Sequence, residues 1–194
     1  MMASKVNKDS KSILRDIQPN SKGAEIGVWA GNTSMQFLRL NISELHMIDP
    51  WSVEPYKKSK EYKSYDEYLT KYSKILNIEK KDVDFQEYYD AIYSEVRAKC
   101  GMDPRVTIHR MTSDEWFDSK PEKLDWIYVD ASHSYEGCLH DLTNAIKFIK
   151  PGGKLLGDDY GPKKIGVRDA VDTFIKNTGY TLNNFHADQF EVQL

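Results

Sequence analysis

The chain has 194 residues, of which 40% are hydrophobic, and a formal net charge of −3. This length and composition favour a single domain over residues 1–194 with enough apolar side chains for a core. The slightly acidic balance argues against a nucleic-acid partner, and no apolar run approaches the roughly 20 residues that span a bilayer.

The amino-terminal segment predicts the compartment and the first helix. Its first ten residues are polar and lack the apolar stretch of a secretion signal. The two cysteines, Cys100 and Cys138, have no metal-ligand or disulfide-framework spacing. We therefore expect a cytoplasmic protein with buried or free thiols. A short amphipathic helix is predicted over Ser10–Ile17, where Pro19 stops it.

A glycine-containing turn follows. The segment from Gly23 to Ser34 reads Gly-Ala-Glu-Ile-Gly-Val-Trp-Ala-Gly-Asn-Thr-Ser. It predicts a buried strand over Ala24–Val28 and a helix over Asn32–Leu40. Gly27 and Gly31 lie in the turn between them, where glycine permits a positive φ and the close approach of a ligand.

Two features of this turn suggest a ligand site. The free N–H groups at the start of the predicted helix favour a negatively charged ligand group. Glu25, at the exit of the strand, can accept hydrogen bonds from an ammonium or hydroxyl group. The alternative is that Gly27 and Gly31 serve only the packing of a strand–turn–helix unit.

The second predicted strand, Glu44–Ile48, ends in Asp49-Pro50-Trp51. Asp49 lies 18 residues after Gly31. An acidic residue about 20 residues past a glycine turn, at the carboxyl end of the second strand, is positioned to bind ribose hydroxyls. The alternative is an ordinary turn aspartate before a proline.

Residues 52–103 form the least regular part of the chain and contain eight of its 12 tyrosines. Apolar residues recur at helical spacing from Tyr65 to Leu76 and again from Phe85 to Val96. We predict a helical insert between strands two and three whose stripes mostly pack on the sheet. As a unit it is a candidate substrate lid, because long insertions in compact domains are often functional.

The remainder of the chain alternates between strands and helices. Strands are predicted at Arg105–His109, Leu124–Val129, Lys154–Gly157, Tyr180–Phe185 and Gln189–Leu194, and helices after Met111, at Tyr135–Lys150 and at Val167–Lys176. The last two strands read as a hairpin. Repeated β-α units indicate an α/β fold with a parallel sheet, and ligands in such sheets bind beyond the carboxyl ends of the strands.

Three carboxylates follow two neighbouring strands at that edge, namely Asp130 after the fourth strand and Asp158 and Asp159 after the fifth. Carboxylates so close together repel one another unless they are protonated or neutralised. Mg²⁺ prefers oxygen ligands, and a hydroxyl bound to a metal loses its proton more easily. These residues therefore predict a magnesium site, the alternative being that Asp158 caps a turn and Asp130 is a solvated loop residue.

His133 lies three residues after Asp130. With a pKa near neutrality, histidine can act as a general base or add a nitrogen ligand to a metal. Asp130 is the rival base. The other histidines show no partner pattern in the sequence and receive no role; they are His46, His109, His140 and His186.

These segments together resemble one known group. They are Glu25-x-Gly27-x-x-x-Gly31, Asp49-Pro50-Trp51, the run from Asp130-Ala-Ser-His133-Ser-Tyr135 to Asp141-Leu142, Lys150-Pro-Gly-Gly153 and Gly157-Asp158-Asp159-Tyr160. The chain resembles the class I S-adenosylmethionine-dependent methyltransferases of the macrocin O-methyltransferase and cephalosporin-hydroxylase-like kind. The resemblance covers Gly23 to Tyr160 except for the tyrosine-rich insert.

The resemblance implies a Rossmann-like, mostly parallel seven-stranded sheet whose last strand is antiparallel, with S-adenosylmethionine as methyl donor. It implies that Ser113 and Asp114 contact adenine, although Ser113 is equally explained as a cap of the helix after Met111, for which Thr112 is the other candidate. It also places metal ligands at Asp130, Asp158 and Asp159. The cofactor-binding set implied is Glu25, Gly27, Gly31, Asp49, Ser113 and Asp130.

The sequence therefore predicts an O-methyltransferase, assisted by Mg²⁺, that acts on a hydroxyl of a small molecule such as a sugar. The catalytic residues would be His133 and Asp130. The alternatives are a non-catalytic nucleotide-binding module of the same fold, a metal-independent methyltransferase, and a dinucleotide oxidoreductase, which the missing Gly-x-Gly-x-x-Gly disfavours. No nucleic-acid or membrane partner is expected, and a homo-oligomer is left open.

Overall fold

A computed structural model of the protein describes residues 12–55, 65–82, 84–186 and 188–194. Their strands form one seven-stranded sheet in the order β3-β2-β1-β4-β5-β7-β6. The strands are β1 (Lys22–Ile26), β2 (Glu44–Asp49), β3 (Val106–Arg110), β4 (Leu124–Val129), β5 (Ile149–Gly157), β6 (Thr181–His186) and β7 (Gln189–Gln193).

The first five strands run parallel, and β7 lies antiparallel between β5 and β6. A short hairpin connects β6 to β7, whereas the parallel neighbours require longer crossovers. This topology confirms the predicted α/β fold with a mostly parallel sheet, an antiparallel last strand and a closing hairpin.

Six α-helices lie within the described residues: α1 (Ser34–Phe37), α2 (Tyr65–Leu76), α3 (Phe85–Cys100), α4 (Ser113–Asp118), α5 (Tyr135–Ala145) and α6 (Ile165–Thr178). Three 3₁₀ turns cover Ser12–Asp16, Lys80–Asp82 and Ile146–Phe148. Helices α2 and α3 confirm the helical insert between the second and third strands. None of the described helices is long and apolar enough to cross a membrane.

The insert packs mainly on one face of the sheet, as its apolar stripes predicted. Tyr72 of α2 and Phe85, Tyr89 and Val96 of α3 are buried in the same cluster as Trp126 and other residues of the central strands. The predicted stripe members at positions 65, 68 and 76 have side chains outside the described part. A second core on the opposite face is formed by α4, α5 and α6.

Three predicted boundaries differ from the structure. Strand β1 ends at Ile26 rather than Val28, because the N–H groups of Val28 and Trp29 bind the Asp49 side chain instead of a strand. The predicted helix over Asn32–Leu40 contracts to the four residues of α1.

The third difference is at the start of β5. Helix α5 ends at Ala145, and β5 begins at Ile149, five residues earlier than predicted. Pro151, Gly152 and Gly153 lie inside this strand, where the register with β4 shifts. A bulge accommodates the missing proline N–H and the positive φ of Gly152, so these residues bend the strand without ending it.

The amino-terminal segment folds as a 3₁₀ turn over Ser12–Asp16, and residues 10–11 of the predicted helix lie outside the described part. Leu14 and Ile17 are buried against the sheet, as the amphipathic pattern predicted. Cys100 and Cys138 are both buried free thiols.

Candidate functional site

The carboxyl ends of β1, β2, β4 and β5 meet at one edge of the sheet, and backbone hydrogen bonds connect the residues that leave them. The N–H of Gly27 donates to Ile48 O at 2.9 Å, that of Asp130 to Ile26 O at 2.8 Å, and that of Asp158 to Val129 O at 3.3 Å. The glycine turn and the acidic residues therefore occupy adjacent positions, as the parallel topology requires.

Gly27 is essential to this junction. Its φ is +89°, and a Cβ placed there would overlap the backbone carbonyl of Asp130. Gly31 also has a positive φ, of 72°, and its N–H donates to Val28 O at 2.9 Å. The turn thus needs glycine at Gly27 both for its backbone angle and for the close approach of the β4 exit.

Asp49 ends β2, and its side chain binds the glycine turn directly. One oxygen, Oδ2, accepts from the N–H groups of Val28 at 3.0 Å and Trp29 at 2.8 Å, and Oδ1 accepts from Trp51 N at 2.7 Å. Burial raises the pKa of Asp49, and these three backbone bonds oppose the shift. Val28, Trp29, Asp49 and Trp51 are called the β1–β2 corner below.

Two tryptophans in this corner adopt left-handed backbone conformations, with φ of 45° at Trp29 and 38° at Trp51. Bulky residues rarely occupy this region, so the surrounding bonds must hold them there. Trp51 is fully buried, and its indole N–H donates to the carbonyl of Trp29 at 2.8 Å. Trp29 is 53% exposed beside the edge of the sheet. The sequence analysis assigned no role to either tryptophan. The signal that could have pointed to one was their position, Trp29 inside the glycine turn and Trp51 at the end of Asp49-Pro50-Trp51.

Glu25 lies within β1 and is only 1% exposed. Its Oε2 accepts a short hydrogen bond from the Ser34 hydroxyl at the start of α1. The Glu25 carboxylate therefore holds the start of α1 in place and also lies beneath the glycine turn.

Asp130, His133 and Asp159 bring potential metal-ligand atoms within 4.8 Å of one another. His133 Nε2 lies 2.7 Å from Asp159 Oδ2 and 3.8 Å from Asp130 Oδ1, and Lys164 Nζ lies 3.3 Å from Asp159 Oδ2. These four residues are called the β4–β5 rim below. The sequence grouped Asp130 with Asp158 and Asp159, whereas the convergent set contains His133 in place of Asp158.

Charge balance within the rim is carried by cationic side chains. The carboxylates of Asp130 and Asp159 raise the pKa of His133 to about 9, and the bond from His133 lowers the pKa of Asp159. At neutral pH His133 is therefore an imidazolium, and together with the Lys164 ammonium it balances the charge of the two carboxylates. A divalent cation bound at the rim would balance the charge of the same carboxylates.

Asp158 lies next to this set but is oriented by local backbone. Its Oδ1 accepts from the N–H of Asp159 at 2.9 Å. Asp159 has a φ of 65°, which turns its side chain away from the alternation of an extended strand. Two successive aspartates consequently present their carboxylates differently.

Helix α4 begins shortly after the end of β3, and its amino-terminal cap can be identified from the hydrogen bonds there. Thr112, not Ser113, accepts from the N–H of Glu115 and forms a capping box with it. Ser113 Oγ instead donates to Asp141 Oδ1 on α5 at 2.6 Å, and Asp114 Oδ1 contacts His140 Nε2 at 2.5 Å. Of the two predicted cap residues, Thr112 is therefore confirmed and Ser113 is not, because the Ser113 hydroxyl donates to Asp141 on α5.

Two histidines without an assigned role form a pair away from the rim. His46 Nδ1 lies 2.9 Å from His109 Nε2, and His46 Nε2 lies 2.9 Å from Glu44 Oε1. Burial and the neighbouring His46 lower the pKa of His109. This pairing joins β2 to β3 and could not be seen in the sequence, because the two residues are far apart along the chain.

Comparison with known proteins identifies relatives of this arrangement. Residues 24–160, more than half of the chain, match the family described as "Methyltransferase domain". No curated protein matches the chain.

Solved structures share the fold at low sequence identity. The O-methyltransferase NovP has 18% identity and a TM-score of 0.61, and the match covers 93% of this chain and 74% of that one. A putative methyltransferase from Streptococcus mutans, in complex with S-adenosylhomocysteine, has 13% identity and a TM-score of 0.57 over 100% of both chains. An O-methyltransferase from Bacillus cereus, also in complex with S-adenosylhomocysteine, has 13% identity and a TM-score of 0.56 over 90% of this chain and 74% of that one.

Proposed function

Because the chain belongs to the class I S-adenosylmethionine-dependent methyltransferases, we propose that it transfers a methyl group to a hydroxyl oxygen of a small molecule. One observation carries this proposal. Two carboxylates and a histidine converge within 4.8 Å at the edge of the sheet where the glycine turn also lies. Such a set is suited to binding and deprotonating a hydroxyl next to a methyl donor.

The methyl donor would bind on Asp49 of the β1–β2 corner and on the adjacent residues Glu25, Gly27 and Gly31. Asp49 accepts three backbone hydrogen bonds. An ionised carboxylate has about four acceptor positions, so one remains for a ribose hydroxyl. The methionine part would then extend past β1 towards Asp130, and the base towards β3 and Ser113. The two relatives in complex with S-adenosylhomocysteine support this cofactor.

The rim also fits a divalent cation. Asp130 and Asp159 offer carboxylate oxygens from adjacent strand ends, which are the ligands that Mg²⁺ prefers, and Asp158 is next to them. When bound, Mg²⁺ would supply a Lewis acid that lowers the pKa of the acceptor hydroxyl. The imidazolium of His133 competes with such a cation, because it lies against oxygens of the same two carboxylates.

The residues of this chain would contribute alignment and proton transfer. The acceptor oxygen forms a bond to the methyl carbon while the bond from sulfur to that carbon breaks, and sulfur keeps the electron pair. The hydroxyl proton passes to His133 or Asp130. His133 can take it only in its neutral form, which requires that the carboxylates be engaged by something other than the imidazolium. Alignment of oxygen, carbon and sulfur is the larger contribution expected from the protein.

The acceptor is proposed to be a small hydroxylated molecule such as a sugar, and the insert of α2 and α3 to be its lid. The insert follows the corner directly in the chain, and α3 reaches back to the edge through Gln86, whose Nε2 donates to Trp51 O at 3.2 Å. The single domain over residues 1–194 and the cytoplasmic location are proposed with it, and self-association stays an open part of this proposal.

Calorimetry with S-adenosylhomocysteine tests the cofactor first. We expect binding, and no binding at millimolar ligand would end the proposal. A radiolabelled methyl-transfer assay on a panel of sugars and diols, with and without chelator, then tests the reaction. Ligand binding without turnover on any acceptor would favour the non-catalytic module.

Substitution separates the metal from the reaction. Asp159→Ala should lower Mg²⁺-dependent turnover by about 10³-fold, a loss typical of removing a group that stabilises the transition state, with S-adenosylhomocysteine affinity unchanged. Asp169→Ala, an exposed aspartate on α6, is the matched control and should keep full activity. Turnover that chelator leaves unchanged would indicate the metal-independent alternative.

A further inference from the structure

Helices α4 and α5 are joined by a polar contact that the reaction does not use. Ser113 Oγ donates to Asp141 Oδ1 at 2.6 Å, and Asp141 is only 4% exposed. A carboxylate accepts hydrogen bonds and cannot donate one, so the serine hydroxyl must use its single O–H as the donor to Asp141. Its oxygen keeps lone pairs that can only accept.

The α4 cap leaves this hydroxyl oxygen available. Glu115 Oε2 and Thr112 Oγ1 occupy the capping positions, with Thr112 N donating to Glu115 Oε2 at 2.8 Å. Ser113 is the first residue of α4 and lies three positions past the end of β3. It is thus not required for the helix start.

The sheet order predicts what lies near Ser113. In the proposed function the methyl group reaches the β4–β5 rim and the ribose binds Asp49 on β2. Because β3 is the next strand beyond β2, the base of the nucleoside would then extend over β3. Adenine carries an exocyclic amino group, which donates hydrogen bonds, whereas a 6-oxo purine presents an acceptor at the same position.

We propose that Asp141 is a positioning residue that orients the Ser113 hydroxyl so that its oxygen accepts from the 6-amino group of the cofactor's adenine and rejects a 6-oxo base. This inference rests on the proposed function. If the hydroxyl can only accept, its oxygen and the 6-oxo oxygen of the base face each other as two acceptors. Neither oxygen then has a hydrogen-bond donor. Burial raises the pKa of Asp141 to about 6, so the carboxylate form prevails in an assay at pH 8.

The test compares S-adenosylhomocysteine with its 6-oxo analogue, S-inosylhomocysteine, by calorimetry at pH 8. The wild-type protein should bind the adenine ligand at least about tenfold more tightly, since sites built to pair a polar group reject analogues that leave it unpaired. Asp141→Leu frees the hydroxyl to rotate and donate. The ratio of the two dissociation constants should then fall to within about threefold of unity.

A merely structural role predicts a different result. Loosening of the α4–α5 contact would weaken both ligands alike and leave their ratio unchanged. His140→Leu is the matched control, because it removes the neighbouring contact with Asp114 between the same two helices. It should keep the wild-type ratio.

Each remaining outcome decides the inference. An unchanged ratio in Asp141→Leu overturns it. If that variant does not fold, Ser113→Ala removes the same hydroxyl and must lower the ratio to the same extent, and an unchanged ratio there also overturns it. Equal affinity of the wild-type protein for both ligands overturns this inference alone, whereas binding of neither ligand ends the proposed function.

Discussion

The β1–β2 corner and the β4–β5 rim lie side by side on one edge of the sheet, yet their acidic residues are held in different ways. At the corner, Asp49 is bound by three backbone N–H groups. At the rim, Asp130 and Asp159 are balanced by the side chains of His133 and Lys164. Backbone donors cannot leave without unfolding the turn, whereas cationic side chains can rotate away.

The difference suggests a division of labour. A corner fixed by backbone bonds is preformed, which would lower the entropy lost when the proposed cofactor binds. A rim balanced by side-chain cations can exchange them for a metal or a substrate at little conformational cost. We therefore expect substitutions at the corner to reduce stability and cofactor affinity together, and substitutions at the rim to reduce turnover alone.

Gly27→Ala tests the junction of the two regions and should have the largest effect. Its Cβ would overlap the carbonyl of Asp130 at a φ of +89°, so corner and rim must separate. We expect a loss of about 3 kcal/mol or more in the free energy of unfolding, measured by urea denaturation, together with loss of cofactor binding.

Gly152→Ala is the matched control. Its φ is +78°, but a Cβ there meets no described atom within 4 Å. It should cost only about 1 kcal/mol, the price of the backbone angle without a collision. Equal losses in the two variants would show that corner and rim are not in the close contact described.

The pair Asp49→Asn and Asp159→Asn tests the contrast directly. Asp49→Asn replaces a charged acceptor of backbone N–H groups and should lower stability by about 2 kcal/mol and weaken S-adenosylhomocysteine binding. Asp159→Asn removes half-exposed ion pairs, whose contribution is about 1 kcal/mol or less, and should leave cofactor affinity unchanged. Similar stability losses in both variants would break the comparison.

His133→Gln tests whether the rim exchanges its cations and should have the smallest effect. Removal of the imidazolium leaves Asp130 and Asp159 with less compensating charge, so Mn²⁺ used as a probe should bind about tenfold more tightly, equivalent to about 1.4 kcal/mol. Calorimetry without cofactor or acceptor measures this change independently of activity. Weaker Mn²⁺ binding would instead identify His133 as a ligand.

Much of the fold could be predicted because it follows from local periodicity. The local patterns predicted all seven strands and the helical insert. The errors at the ends of β1 and β5 lie where a distant side chain or a bulge changes the backbone hydrogen bonding. Strand β1 ends early because Asp49, which lies 21 and 20 residues away in the chain, accepts hydrogen bonds from the N–H groups of Val28 and Trp29. No local pattern contains that information.

The sequence by itself determined which acids reach the edge of the sheet, because parallel strands end on the same side and Glu25, Asp49, Asp130, Asp158 and Asp159 each lie at or near such an end. Only the tertiary structure decided what each acid contacts. The left-handed φ of Asp159 turns its side chain to His133, and the packing of α4 on α5 directs Ser113 to Asp141. Strand ends are set by hydrogen-bond topology, whereas side-chain direction depends on backbone angles and on neighbours from distant parts of the chain.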